Sequence, residues 1–319
     1  MNKKVLVTGI SGFAGNYLAR KLLDLGHNKI YGTYLSEKSK DTLSDISSKL
    51  ELFQLDLMDN KAVKNVIEKV SPDEVYHLAA IASSAQSFKE PNLVMTNNIN
   101  SQLNLLEAVR KLNLHSRIMI ISSAEVYGKV NPVDLPIDED TPLRPVNPYA
   151  VSKLTQDFMG LQYNIAYGMN IIRVRPFNHI GPRQSEQFST SSFAKKIAEI
   201  EKGKREPVLT VGNLEVKRDF TDVKDMVWAY ILLMEKGVAG DVYNIGSGKA
   251  YKMSEILDMI LSFSSAKIKI ETDPNLLRPS ENPELVCDTT KIKNLTGWTP
   301  KIPLEETLKN ILEYWRKKA

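Results

Sequence analysis

The chain has 319 residues, 42% hydrophobic and 25% charged, so it can bury a large core. Its 42 basic and 38 acidic residues give a net charge of +4 without a basic run, which argues against a nucleic-acid partner. The sequence has neither an apolar run long enough to span a membrane nor a signal peptide, so we expect a cytoplasmic protein. The single cysteine, Cys287, and four scattered histidines predict no internal disulfide and no metal site.

Short β-branched runs alternate with helical patterns along the first half of the chain. Strands are predicted at residues 4–8, 29–34, 51–56, 74–80 and 117–123. Because strands so continuously apolar are covered on both faces, the pattern predicts an α/β fold with a doubly wound parallel Rossmann sheet. Ligands of such sheets bind at the carboxyl ends of the strands.

A glycine-rich turn joins the first strand to the first helix. Gly9 permits the tight turn, Gly12 lets backbone approach a pyrophosphate, and Gly15 allows close packing of helix on strand. The unpaired N–H groups at the start of the helix favour phosphate. We therefore predict a dinucleotide cofactor, held in this turn by Gly9, Ser11, Gly12, Phe13, Ala14 and Gly15.

The end of the second strand bears on which nicotinamide cofactor binds. An acidic residue there would bond the ribose 2′-hydroxyl and repel a 2′-phosphate, but this strand ends at Tyr34. Glu37 lies beyond it, and Lys38 and Lys40 are either partners for a phosphate or ordinary solvated charges. The sequence favours NADP, and NAD remains possible.

A second group of residues is typical of proton transfer. Tyr149 and Lys153 are four apart at the start of a helical pattern, so they share a face, and the ammonium is expected to lower the pKa of the phenol. The strand at 117–121 brings Ser123 to the ligand edge, where its hydroxyl can hydrogen-bond a reacting oxygen. Ser122 is an alternative to Ser123 or ends the strand, and Glu125 is a second acid/base or a loop carboxylate.

The pattern changes near residue 175, where a polar segment rich in proline and glycine begins. A helix is predicted at 192–202, a strand at 241–245 and a helix at 253–263. We expect residues 1–175 with about 220–265 to form a cofactor-binding domain. About 176–219 and 266–319 would form a smaller, interleaved C-terminal substrate-binding domain.

Taken in order, these motifs resemble the motif set of the extended short-chain dehydrogenases/reductases, the nucleotide-sugar epimerase/dehydratase family. The resemblance spans nearly the whole chain and implies that Ser123, Glu125, Tyr149 and Lys153 are catalytic. Its motifs are Thr8-Gly9-x-x-Gly12-x-x-Gly15, Asp56-Leu57, His77-Leu78-Ala79-Ala80, Asn98, Ser122-Ser123-Ala124-Glu125-Val126-Tyr127-Gly128 and Tyr149-x-x-x-Lys153. The implied cofactor contacts beyond the turn are Tyr34, Asp56, Leu57, Leu78, Ala79, Ala80, Asn98, Ser122, Tyr149 and Lys153.

The second half of the chain resembles the GDP-mannose branch of that family, and within it the reductases of GDP-4-keto-6-deoxymannose. The similar segments are residues 175–184, 211–223 and 277–281. A diphosphate needs fixed, bidentate cations, and hydroxyl groups need polar partners. The predicted contacts to a GDP-linked hexose are Asn178, Arg183, Asn213, Arg218, Arg278 and Glu281.

Other functions stay open at this point. Glu125 matches the glutamate of GDP-mannose 4,6-dehydratases, but the segment 35–50 lacks their arginine-rich insertion, and Ala124 replaces a polar residue. A nucleotide-sugar 4-epimerase would use the same serine, tyrosine and lysine, and a nucleotide-binding sensor or scaffold is the non-enzymatic alternative. The resemblance also implies a homodimer paired through helices near 92–111 and 149–167.

Overall fold

A computed structural model describes residues 3–277 and 282–319 of the chain. The described strands are Val5–Thr8 (β1), Ile30–Tyr34 (β2), Glu51–Gln54 (β3), Glu74–His77 (β4), Arg117–Ile121 (β5), Ile171–Pro176 (β6), Asn178–Ile180 (β7), Val208–Val211 (β8), Lys217–Asp222 (β9), Val242–Ile245 (β10), Ala250–Lys252 (β11), Lys269–Thr272 (β12) and Glu284–Leu285 (β13). The described α-helices are Phe13–Asp24 (α1), Glu37–Lys40 (α2), Asn60–Val70 (α3), Ser84–Lys89 (α4), Pro91–Lys111 (α5), Pro148–Tyr167 (α6), Ser189–Glu201 (α7), Val223–Lys236 (α8), Met253–Ser262 (α9), Thr290–Thr296 (α10) and Leu304–Lys318 (α11).

The largest sheet has seven parallel strands in the order β10-β6-β5-β4-β1-β2-β3. The strand order reverses at β1, and ligands of doubly wound sheets bind outside the carboxyl ends at this point. Thr8 at the end of β1 is in register with Thr33 on β2 and His77 on β4, so these three strands end at one level. The predicted fold class is confirmed.

Helices cover both faces of this sheet because its strands are apolar on both sides. Val5 and Val7 of β1 pack into a core with α1 and α8, whereas Leu6 between them packs into the opposite core with α3 and α5. This alternation follows from the two-residue period of a strand. Fully burying an aliphatic side chain such as Leu6 contributes about 2 kcal/mol.

The rest of the chain forms a smaller lobe, which we call the small lobe, beside the sheet lobe just described. Its core joins α7, α9 and α11 to β8 and β9, and short strands β7, β11 and β13 complete a four-stranded sheet around β9. The chain crosses between the lobes repeatedly, since α8 and β10 return to the large sheet. Helix α9 packs in the small lobe, although the sequence placed it with the sheet, and α10 packs against the sheet lobe; the domain division stays a prediction.

None of the helices within the described ranges is both long and apolar enough to cross a membrane.

Candidate active site

The glycine turn packs so closely that side chains would not fit at two of its positions. Gly9 has a φ of +69°, and a Cβ there would lie 2.9 Å from the Cα of Ala79. A Cβ on Gly15 would lie 2.4 Å from the carbonyl oxygen of Gly9. Helix α1 starts after Gly12 without a side-chain cap and without an acidic residue in its first turn. Its first N–H groups are therefore suited to an anionic ligand.

Hydroxyl groups surround the segment that follows β2. The side-chain oxygens of Ser11 and Ser39 lie 3.2 Å apart, which ties the glycine turn to helix α2. Tyr34 donates a hydrogen bond of 2.7 Å to Glu37, and Lys40 lies 3.4 Å from the same carboxylate. The hydrogen bond from Tyr34 lowers the pKa of Glu37, so this carboxylate stays ionised, and Lys40 lies beside it as a counter-charge.

The serine and tyrosine predicted to be catalytic are neighbours. Ser123 follows β5 and accepts a hydrogen bond of 3.2 Å from the N–H of Glu125, while Tyr149 lies in the first turn of α6. Burial raises the pKa of Tyr149 to about 12, the hydrogen bond with Ser123 opposes that rise, and the charge of Glu125 adds to it. We expected a lowered pKa for Tyr149, and this is wrong: the pKa is raised, because desolvation of the phenol dominates.

Lys153 lies one helical turn beyond Tyr149 and is equally buried. Its Nζ donates a hydrogen bond of 2.7 Å to Oε1 of Gln156. Burial lowers the pKa of Lys153 to about 7, and the negative charge of Asp157 opposes the fall. The charged and neutral forms of this amine are therefore close in free energy near neutral pH.

The residues beside this pair have separate tasks. Ser122 is buried, and its hydroxyl donates to the carbonyl oxygen of Lys153 at 3.3 Å, which fastens α6 to the end of β5. The Glu125 carboxylate is half-buried and accepts a hydrogen bond of 2.9 Å from Asn147, the residue that caps α6. Ser122 thus positions backbone, whereas the Glu125 carboxylate is held by Asn147 close enough for its charge to act on Tyr149.

The motif that follows β4 is held in place by Asn98. Its amide group accepts a hydrogen bond from the N–H of Ile81 at 2.8 Å and donates to the carbonyl of Ile81 and to Ser152. His77 is buried and lies 2.9 Å from the hydroxyl of Thr8, and burial lowers its pKa to about 3. Both residues therefore build the wall of the site, along which the half-buried Leu78, Ala79 and Ala80 lie.

Two of the predicted cofactor contacts, Asp56 and Leu57, lie past the end of β3. Asp56 is exposed and accepts a hydrogen bond of 2.9 Å from the N–H of Met58. Leu57 is buried in the core that includes α3 and α5. Of these two residues, only Asp56 has a side chain exposed to solvent.

The predicted substrate residues fall into two groups by their contacts. The exposed Arg183 donates from Nη1 to Oδ1 of Asn16 and to the carbonyl of Thr42, both at 3.2 Å and both in the sheet lobe. Arg218 donates from Nη1 to the carbonyls of Lys217 and Asn282, both at 2.8 Å, in the small lobe. The sequence therefore grouped two arginines that anchor to different lobes.

The remaining substrate predictions differ in how well they are placed. Asn178 is half-buried on β7, where it pairs with Phe220 of β9. Asn213 is exposed, and its Oδ1 accepts a hydrogen bond of 2.9 Å from the N–H of Glu215. Arg278 and Glu281 lie outside the described residues.

Sequence reasoning missed two buried polar residues. Gln156 contacts Lys153, and its place three residues later on the same helix face was a signal that was available. Asp219 accepts hydrogen bonds from the N–H groups of Ser247, Gly248 and Cys287 at 2.7, 2.9 and 3.1 Å. No local pattern marks Asp219, because its partners come from distant parts of the chain. Among the described residues, no three histidine, cysteine, aspartate or glutamate side chains group as metal ligands.

A glycine turn at the switch point of a doubly wound sheet, with serine, tyrosine and lysine at the same edge, defines an extended short-chain dehydrogenase/reductase. Within that class the chain belongs to the GDP-mannose 4,6-dehydratase family, whose model matches residues 6–311. The predicted family resemblance is thereby confirmed.

Relatives with different reactions match the chain along nearly all of its length. GDP-6-deoxy-D-mannose reductase of Pseudomonas aeruginosa is 32% identical over 319 residues, covering 100% of this chain and 99% of the relative. GDP-mannose 4,6 dehydratase 1 of Arabidopsis thaliana is 31% identical, covering 98% and 89%. The solved structure of RMD from Pseudomonas aeruginosa complexed with NADPH matches with a TM-score of 0.87 and 32% identity, covering all of both chains.

Proposed function

We propose that this protein reduces the C4 keto group of GDP-4-keto-6-deoxy-D-mannose to a GDP-6-deoxyhexose of the GDP-rhamnose type, using NADPH. The observation that carries the proposal is the buried pair of Ser123 and Tyr149, whose hydroxyl groups interact, with Lys153 one turn further along α6. The similarity to a GDP-6-deoxy-D-mannose reductase over the full length of both chains supports it.

The reduced nicotinamide, when bound, supplies the hydride to C4. Tyr149 has a pKa of about 12, so its phenol is protonated at neutral pH and donates its proton to the carbonyl oxygen. Ser123 donates a hydrogen bond to the same oxygen and stabilises the negative charge that develops there. The ammonium of Lys153 would hold the nicotinamide ribose and would stabilise the phenolate that remains on Tyr149.

The preference for NADP is also a proposal. It is supported by the absence of an acidic side chain at the end of β2 and by the pairing of Glu37 with Tyr34 and Lys40. The serine hydroxyls of Ser11, Ser36 and Ser39 would donate to a 2′-phosphate there. NAD remains the alternative cofactor.

Substrate recognition is proposed to span both lobes. Arg218, already oriented by two backbone carbonyls, would bind the GDP diphosphate, and Asn178 and Asn213 would bond its oxygens or the sugar hydroxyls. Arg183 would contribute from the edge of the cofactor site. Arg278 and Glu281 remain predictions from the sequence.

The dehydratase is the second candidate, because Glu125 is oriented by Asn147 beside Tyr149 and could remove a proton from carbon. The buried methyl group of Ala124 offers no second polar atom for such an elimination, which favours the reductase. A 4-epimerase and a sensor remain the further alternatives.

The deciding experiment supplies GDP-mannose and, separately, GDP-4-keto-6-deoxymannose, each with NADPH or NADH. We expect oxidation of the nicotinamide cofactor and a 6-deoxyhexose product, identified by NMR, when the keto sugar is supplied and not when GDP-mannose is supplied. Glu125→Gln should lower that rate by less than about tenfold, since the carboxylate is outside the proton-donating pair. Turnover of GDP-mannose that disappears in Glu125→Gln would instead identify a dehydratase.

A homodimer and a cytoplasmic location are proposed as well. On α6, Val151, Phe158 and Ile165 are exposed at seven-residue spacing and form one apolar stripe. Leu93 and Leu103 on the adjoining α5 are exposed too. Apolar stripes of this kind on two packed helices are typical of helical subunit interfaces.

A further inference from the structure

The side chain of Gln156 bridges Lys153 to the neighbouring helix. Its Oε1 accepts a hydrogen bond of 2.7 Å from Nζ of Lys153, and its Nε2 donates one of 2.7 Å to the carbonyl oxygen of Asn98 on α5. Gln156 is fully buried, so neither bond competes with water. The ammonium of Lys153 is therefore tied, through one amide group, to the backbone of α5.

The backbone at Asn98 is itself a fixed point. The Asn98 side chain binds the N–H and carbonyl of Ile81 in the wall of the cofactor site and also reaches Ser152 on α6. The bridge thus starts from a residue that orients two parts of the site. A displacement of α5 would be transmitted to Lys153 through Gln156.

Few charged groups face Lys153. Asp157, on the same helix, binds Arg173 at 2.6 Å and Arg175 at 2.8 Å on β6, and its charge stabilises the ammonium. His77, at the end of β4, is neutral near pH 7 because its pKa is about 3. Tyr149 is likewise neutral there, since its pKa is about 12, and α5 contributes the Asn98 carbonyl. The Asp157 charge is thus shared with two arginines, whereas the amide of Gln156 accepts a hydrogen bond directly from Nζ of Lys153.

We propose that Gln156 is a positioning residue that keeps Lys153 charged and aligned for proton transfer by Tyr149. The inference rests on the proposed reduction, in which Lys153 acts beside Tyr149. An amide accepts a hydrogen bond from an ammonium but takes up no proton at neutral pH. The bridge therefore holds the ammonium of Lys153 without accepting its proton.

The experiment compares Gln156→Leu and Gln156→Glu with Gln102→Leu. Gln102 is a matched control, because its Nε2 also crosses between α5 and α6, to the carbonyl of Gln156, but does not reach Lys153. Each protein is titrated with NADPH by fluorescence from pH 5.5 to 9.5, and kcat and KM for the keto sugar are measured over the same range. Thermal midpoints show whether each variant is folded.

Wild-type kcat/KM is expected to fall as the pH rises through about 7, where Lys153 of the enzyme without keto sugar loses its proton. Without its acceptor, Gln156→Leu should lose activity about one pH unit lower and show a kcat reduced roughly tenfold to hundredfold, with KM changed less. Gln156→Glu adds a negative charge next to the ammonium and should lose activity at higher pH than wild type. Gln102→Leu should keep the wild-type pH profile.

Equal pH midpoints for folded Gln156→Leu, Gln156→Glu and wild type would overturn the proposal, as would the same shift in Gln102→Leu. If Gln156→Leu does not fold, the direction of the shift in Gln156→Glu decides. Should wild type bind NADPH but fail to reduce the keto sugar, the proposed reaction fails. The pH dependence of NADPH binding then tests the role of Gln156 separately.

Discussion

Single side chains in this protein owe their chemistry to burial more than to neighbouring charge. Tyr149 and Lys153 are both buried at the start of α6. Desolvation favours the neutral form of each side chain, so it raises the pKa of the phenol and lowers the pKa of the amine. A phenol with a pKa of about 12 is a proton donor at neutral pH, which suits the reduction of a ketone.

Replacing Tyr149 by phenylalanine removes one oxygen atom and tests whether the phenol is the proton donor. We expect kcat for the keto sugar to fall by about 10²- to 10⁴-fold, because the proton donor is removed, with NADPH affinity little changed. Tyr163→Phe is the matched control, since Tyr163 lies on the same helix and its hydroxyl binds Glu107 instead. Comparable losses in the two variants would show that the effect comes from α6 stability and not from proton donation.

Among the elements, the turn from β2 into α2 is the one that we propose selects between NADP and NAD. Ser36 caps α2 by accepting a hydrogen bond of 3.4 Å from the N–H of Ser39, and aspartate and asparagine cap helices equally well. The substitutions Ser36→Asp and Ser36→Asn should therefore both keep the helix cap and differ mainly in charge.

Ser36→Asp should lower the affinity for NADPH by about tenfold or more, because its carboxylate repels the 2′-phosphate, and should leave NADH binding nearly unchanged. Ser36→Asn should keep the preference of the wild type. Fluorescence titrations with both nucleotides measure the ratio. A preference that does not move in Ser36→Asp would place the 2′-phosphate elsewhere.

How much was predictable also differs between elements. The strands of the sheet and the glycine turn follow from local sequence, since apolar runs and glycine spacing report directly on strand burial and turn geometry. The pKa of Tyr149 and the anchoring of Arg183 in the sheet lobe were not predictable, because both depend on contacts between distant segments. The sequence shows Gln156 one helical turn after Lys153, but its partner on α5 is set by tertiary packing alone.

At the scale of the whole molecule, the apolar stripe on α6 predicts the assembly state. Ile165 is 74% exposed and Phe158 is 49% exposed, which is a poor arrangement for a lone subunit in water. Ile165→Glu should convert a dimer to a monomer in light scattering, because two carboxylates would face each other across the two-fold axis.

Val133→Glu serves as the control for that change. Val133 is 89% exposed and lies on the short helical turn Pro132–Asp134, away from α6, so its replacement should leave the dimer intact. A wild-type chain that runs as a monomer at all concentrations would contradict the dimer.

Because the chain crosses repeatedly between the lobes, a fragment that contains only one lobe would be incomplete. A fragment ending near residue 176 would lack β10 at the edge of the large sheet and α8 on its face, so the apolar sheet surface that Met226 and Tyr230 of α8 cover would be open to water. The complementary fragment would carry that strand and helix with no sheet to join. We therefore expect neither lobe to fold when it is produced without the other.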